Sequence, residues 1–250
     1  MNNYPIIKLR KGKDEAVKRF HPWIFSGAIE SAAADLQAGD IVTVVDYKNN
    51  ILGTGFAEAG NIAVKILAFE NIKIDKFFWK ERLSKAFELR KLMGLTDNEH
   101  TNCYRLVHSE GDNLPGLIID IYGKTAVVQA QTEGMALNVK AIADALMTIE
   151  GLNITSVYNK SSEAMQRMGK DAVEDGYLIG ESSDEFVTLQ TSVQRLMIFG
   201  KCRWVEDDKV ELAFFHILKE KLRIFSDARI FLDIESVESD IFFTSSDSFL

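Results

Sequence analysis

The chain has 250 residues, 46% of them hydrophobic and 26% charged, which suffices to bury a real core in one or two domains. A formal net charge of −8 argues against a protein that coats polyanions with its whole surface, but leaves room for a local basic face. Cys103 and Cys202 form neither a disulfide framework nor a metal-ligand spacing, no signal-like apolar segment follows Met1, and no apolar run is long enough for a bilayer, so the expectation is a cytoplasmic protein with no membrane partner.

The first seventy residues read as β-rich. Ile41–Val45 is a predicted strand, Lys48-Asn49-Asn50 a turn, Ile51–Phe56 an extended run, and Ala63–Leu67 alternates as a half-buried strand does. Several short strands in this space predict a small barrel or sandwich. From Asp75 the pattern becomes helical: Phe77, Phe78, Leu83, Ala86, Phe87, Leu89, Arg90 and Met93 recur at helix spacing, with Asp75 as N-cap and Gly94 as stop. Leu114–Gly123 reads as turn, strand and turn, and Thr125–Gln131 as its antiparallel partner. Met135–Ile149 is a second predicted helix ended by Gly151, and Ile154–Tyr158 returns to strand. The fold class is therefore α+β. Beyond Leu189 the pattern degrades, although Val210–Phe225 keeps helical spacing.

Two segments gather residues that can carry function. Between residues 8 and 23, Lys8, Arg10, Lys11, Lys13, Lys18 and Arg19 outweigh Asp14 and Glu15, and His21 and Trp23 follow. Cations gain by counterion release at a phosphate backbone, and aromatic rings stack on bases. Composition alone reads the same segment first as a solvated basic face, with Trp23 and Phe25 in the core. The second segment, Tyr104–Asp112, holds Arg105, His108, Glu110 and Asp112, a set capable of acid–base chemistry or metal binding. Its spacing matches no metal or triad pattern, and Asn113-Leu114-Pro115-Gly116 follows as a turn, so a turn-stabilising polar cluster is the plainer reading. Both thiols read as structural, since neither has an evident partner to lower its pKa. No strand–Gly-x-Gly–helix pattern marks a dinucleotide or S-adenosylmethionine site. Gly53-Thr54-Gly55 sits between strands, where glycine serves a turn or bulge.

Leu9-Arg10-Lys11-Gly12, His21–Ile29, Gly39–Val42, Gly53–Phe56 and above all Tyr104–Asp120 together resemble the PUA-containing large-subunit ribosomal RNA cytosine-5 methyltransferases. Val157-Tyr158 with Ser161-Ser162 is similar to that family's next strand end, and the resemblance runs over residues 6–188. It implies a PUA pseudo-barrel that binds structured RNA at residues 1–72, and the family's central α+β domain at 73–188. The partner it implies is structured RNA, large-subunit ribosomal RNA first, and no DNA. Arg10, Lys11, Lys13, Lys18, Arg19, His21 and Trp23 become the expected RNA contacts. The family's Rossmann-like domain, with its S-adenosylmethionine site and catalytic cysteine, has no counterpart motif here. The expectation is therefore no catalytic residue and no cofactor in this chain.

The resemblance implies an RNA-binding portion of a methyltransferase, inactive alone. The alternatives are a non-catalytic PUA-type assembly or regulatory protein, or one subunit of a split methyltransferase. Residues 189–250 match nothing in the family. Read from the third base of each codon, however, Glu211–Phe215 can encode Thr-Gly-Phe-Phe and Leu218–Glu220 can encode Gln-Arg, a string similar to the family's continuation. This tail is thus expected to be frame-shifted family sequence, poorly packed and protease-sensitive.

Overall fold

The computed structural model describes residues 4–98, 101–169 and 173–181, and the backbone alone of 187–190 and 195–198. These residues lie in one compact unit. They form sheets of six, five and two strands with helices, as the α+β reading requires.

The first sheet is six-stranded: β1 (Ile6–Leu9), β2 (Trp23–Phe25), β3 (Ile29–Ser31), β4 (Ile41–Val45), β5 (Ile51–Ala57) and β6 (Ile62–Ala68), in the order β2-β6-β5-β4-β1-β3. Its two edge strands, β2 and β3, are joined by a single 3-10 turn, Ser26–Ala28, so the sheet curls back on itself into a pseudo-barrel. Both edges are only three residues long, which limits the unpaired backbone that an open edge exposes. Ile7, Leu9, Val17, Ile24, Val42, Val44, Ala57, Val64 and Ile66 fill its interior. The predicted turn at 48–50 is an Asx turn: Asp46 Oδ1 accepts from the backbone N–H of Lys48 at 2.8 Å and of Asn50 at 2.9 Å. Gly55 lies at a register shift between β5 and β6, where a Cβ would meet the Lys65 carbonyl oxygen at 2.3 Å. The glycine expected for a bulge is thus also needed for close backbone approach. Strands β1 to β3 and the short helix α1 (Glu15–Lys18) were not among the predicted elements, because three- and four-residue pieces carry too little periodicity to read.

The second sheet has the order β11-β10-β9-β8-β7, from β7 (Cys103–His108), β8 (Leu117–Tyr122), β9 (Thr125–Ala130), β10 (Ser156–Asn159) and β11 (Gly176–Ile179). The expected β8–β9 hairpin is present, from Tyr122↔Thr125 to Leu117↔Ala130. Helix α2 (Lys76–Leu92) begins where Asp75 caps it, accepting from Phe77 N–H and Phe78 N–H, and Gly94 follows its end at φ +69°. The helix predicted over 135–149 is instead two, α3 (Glu133–Leu137) and α4 (Val139–Leu146), broken at Asn138. The Asn138 side-chain amide donates to the Gly134 carbonyl at 2.8 Å, so a side chain competes for the backbone partner there. A last short helix, α5 (Ser162–Arg167), follows β10. The tail expected at 189–250 falls outside the described residues from 199 onward. Before that point the backbone of β12 (Val187–Gln190) pairs antiparallel with β13 (Arg195–Ile198).

Phe56 and Leu67, from the outer face of the curled sheet, join the apolar core that α2, α4 and the second sheet enclose. The two parts therefore share an apolar core, and Trp23, Glu58 and Glu110 lie partly buried.

Candidate nucleic-acid interface

The basic segment folds as a turn, one helical turn and an edge strand. Arg10, Lys11, Lys13, Lys18, Arg19 and His21 are all exposed, and Trp23 is half-buried. Arg10 Nε donates to the Ile29 carbonyl at 2.9 Å, which ties its guanidinium to the start of β3. Lys11 Nζ lies 5.9 Å from the Tyr47 ring centre. Lys18 is paired with Asp14, and Arg19 reaches Glu15 at 3.9 Å with both side chains largely in solvent. The exposed Arg19–Glu15 pair is weak and yields readily to a phosphate, whereas Asp14, the partner of Lys18, is buried. Edge strand β2 separates Arg10 at one end from Lys18 and Arg19 at the other.

Trp23 sits between them and is anchored. Its indole Nε1–H donates to Glu110 Oε1 at 2.9 Å, and the His21 ring meets it edge-on at 5.9 Å. Glu110 also accepts from the Ser109 hydroxyl. Burial pushes the Glu110 carboxyl up, but hydrogen bonds from Ser109, from its own backbone and from Trp23, with the Lys65 charge, outweigh this and hold it below its usual range.

Two aromatic residues outside the expected RNA contacts lie on this strip. Phe20 is 72% exposed and Phe25 52% exposed. The expectation that Phe25 belongs to the core is corrected here: β2 alternates, Ile24 turns inward, and Phe25 turns out with Trp23. Phe20 was not among the expected contacts, because its exposure follows from the end of α1, a single helical turn too short to read in the sequence.

The Tyr104–Asp112 segment runs from strand β7 into a 3-10 turn at Ser109–Asp112, and its polar side chains are hydrogen-bonded. Arg90 Nη1 and Nη2 grip Asp112 Oδ1 and Oδ2 at 2.7 and 2.5 Å, with Arg90 Nε donating to the Arg105 carbonyl at 2.9 Å. Asp112 Oδ2 also accepts the His108 backbone N–H at 2.5 Å. Arg105 pairs with Asp120 on the adjacent strand β8, and its Nη1 stands 3.5 Å from His108 Nδ1. Among the described residues, no group of three or more His, Cys, Asp or Glu is placed to hold a metal ion. Cys103 is half-buried, and Cys202 lies outside the described residues.

Residues 7–69 match the family described as PUA-like domain. The chain carries a PUA-like domain. Over its N-terminal part it is homologous to proteins named ribosomal RNA large subunit methyltransferase I. The one from Salmonella arizonae is 28% identical over 198 residues, which cover 78% of this chain and 48% of that protein. The one from Salmonella enteritidis is 28% identical over 197 residues with the same coverage. The chain spans about half the length of the curated relatives it matches. A putative SAM-dependent methyltransferase from Streptococcus mutans superposes with a TM-score of 0.62 at 16% identity, over 78% of this chain and 48% of that one. A putative methyltransferase solved with SAH gives 0.60 at 16%, over 78% and 47%. These two share the fold of the PUA-like sheet followed by the second sheet and helices.

The second sheet does contain a parallel strand–helix–strand crossover, from β9 through α3 and α4 to β10. In open α/β sheets a nucleotide-type cofactor sits at the strand-to-helix turn of such a unit. Here that turn is filled. A Cβ on Gly134 would meet Phe56 Cγ at 2.3 Å, and one on Gly116 would meet Thr132 Cγ2 at 2.4 Å. The Phe56 ring from the barrel packs against the first turn of α3 here.

Proposed function

We propose that the PUA-like domain binds structured RNA through Arg10, Lys11, Lys13, Lys18, Arg19 and His21, with Trp23 fixing the strand between them. The RNA is large-subunit ribosomal RNA, presented for S-adenosylmethionine-dependent cytosine-5 methylation. The described residues supply recognition and not methyl transfer. The observation that supports this reading most is electrostatic: in a chain of net charge −8, six exposed cationic or imidazole side chains cluster within twelve residues of the PUA-like domain. The names of the homologous proteins support the choice of ribosomal RNA.

The test is fluorescence polarisation with a structured ribosomal RNA fragment across a salt series. Replacing Arg10, Lys11 and Lys13 together should weaken binding and flatten the dependence of log affinity on log salt by up to about 2–3, near 0.7–0.9 for each phosphate left without its cation. An unchanged affinity and slope would overturn the reading. Calorimetry on the full chain should show no S-adenosylmethionine binding, and micromolar binding would refute the division of labour.

A further inference from the structure

Phe20 stands where a helix normally ends in glycine. His21 N–H donates to the Ala16 carbonyl at 3.0 Å and Phe20 N–H to the Val17 carbonyl at 2.9 Å, the paired bonds of a Schellman cap on α1. The residue between helix and exit takes a left-handed conformation, and Phe20 does so at φ +63°. A bulky side chain is disfavoured there, and this one is also 72% exposed. The cap explains the backbone but not the ring. Glycine would serve the cap better and would remove an exposed phenyl group from water.

The surroundings indicate what the ring is for. Phe69 meets it edge-on at 5.2 Å, which holds the ring from one side and leaves most of it open. At the other end of β2, Phe25 is the second exposed ring, opposite Ile62 on β6. Five residues of nearly extended chain place the two positions about 16 Å apart. Cations flank the strip: Arg19, whose side chain is 82% exposed, immediately precedes Phe20 in the chain, and Arg10 is bound to the Ile29 carbonyl four residues after Phe25, whereas Lys18 is held by the buried Asp14. Ring plus cation, repeated at both ends of an edge strand, matches a base and its phosphate, repeated along a single strand.

We propose that this strip takes an unpaired segment of RNA, with one base stacking on Phe20, another on Phe25, and the phosphates beside them neutralised by Arg19 and by Arg10. This rests on the RNA-binding reading and sharpens it: the substrate class is RNA with a few unpaired nucleotides, a bulge, loop or overhang beside a stem, and not a continuous duplex. Stacking tolerates any base, so the strip selects for strand state and not for sequence.

The experiment measures full-length protein by polarisation against a hairpin with a three-nucleotide bulge, and against a blunt duplex of equal length and charge. The wild type should prefer the bulged RNA. Phe20→Ala and Phe25→Ala should each lose about tenfold in affinity for it while keeping the salt slope, and Phe20→Trp should restore binding. Phe20→Gly adds a readout that separates binding from folding: its melting temperature should rise, because glycine suits the left-handed cap, while its affinity falls as in Phe20→Ala. Phe77→Ala, another exposed ring at 69%, should change nothing. Equal affinity for the two RNAs together with unaffected Phe20 and Phe25 variants would overturn the stacking strip and leave RNA binding standing. No binding of either RNA would instead sink the RNA-binding reading itself, and the strip with it. If Phe20→Ala lowers binding to phosphatidylglycerol vesicles and leaves RNA affinity intact, the ring serves a lipid surface and the proposal is wrong.

Discussion

Trp23 and Glu110, 87 residues apart in sequence, are joined by a single hydrogen bond of 2.9 Å across the seam between the PUA-like sheet and the second sheet. The bond fixes the indole at the middle of the basic strip, so Trp23 contributes rigidity whatever else it touches. Trp23→Phe keeps most of the apolar surface and deletes the donor, leaving part-buried Glu110 short of one partner. The expected cost is about 1–2 kcal/mol in a denaturant titration, with RNA affinity changing far less than in the Arg10, Lys11 and Lys13 triple variant. A folded-state carboxyl held below its usual value stabilises above the unfolded pKa of 4.5 and loses that contribution as pH falls. The difference between Trp23→Phe and wild type should therefore shrink on acidification below that value.

Arg90 and Asp112 form a second long-range pair, with side chains 9% and 4% exposed. A bidentate pair this dry is costly to break from one side, because the remaining charge stays buried. Arg90→Met alone, or Asp112→Asn alone, should destabilise by about 3–5 kcal/mol, and a double-mutant cycle should show strong coupling. If His108, Glu110 and Asp112 formed an acid–base centre instead, the damage would fall on a reaction and spare the melting temperature.

What could be read in the sequence was whatever repeats at a period or carries a cap. Strands β4 to β6 and the β8–β9 hairpin alternate, and α2 has both its start at Asp75 and its stop at Gly94 within the chain's local chemistry. The basic strip was visible as composition. Phe20 and Phe25 were not, since exposure depends on which way a three-residue strand faces and on how a one-turn helix ends. The break at Asn138 hid for a related reason: α3 and α4 keep one apolar rhythm across it, and only the Asn138–Gly134 hydrogen bond shows the interruption. Partners such as Glu110 for Trp23 and Asp112 for Arg90 are set by the tertiary fold, which no local pattern encodes.

Gly134 and Phe56 make the packing of the seam testable. The ring lies where any side chain on residue 134 would have to go, so Gly134→Ala should destabilise the chain by about 1–3 kcal/mol through overpacking. Shrinking the ring should relieve the clash: Phe56→Leu in the Gly134→Ala background should recover part of the loss, although Phe56→Leu alone destabilises by leaving a cavity. Purely additive losses in the two variants would show that the close approach does not govern stability.

Glu58 gives the seam a pH dependence of known sign. Its Oε1 is buried without a hydrogen-bond partner, and burial raises its pKa to about 7 from 4.5, against the opposing pull of the Lys65 charge and a Thr132 hydrogen bond, with Glu133 adding repulsion. A carboxyl whose folded pKa is raised binds a proton more tightly in the folded state. Its favourable contribution is complete below 4.5 and disappears as pH climbs through about 7. Wild-type stability should therefore decline between those two values from this group alone, opposite to the slope that Glu110 produces on acidification. Glu58→Gln removes the ionisation and keeps the shape. It should match the wild type below pH 4.5, exceed it at pH 8, and show a flatter profile between them in parallel urea titrations. An identical slope in wild type and Glu58→Gln would mean that Glu58 ionises as freely in the folded chain as in the unfolded one.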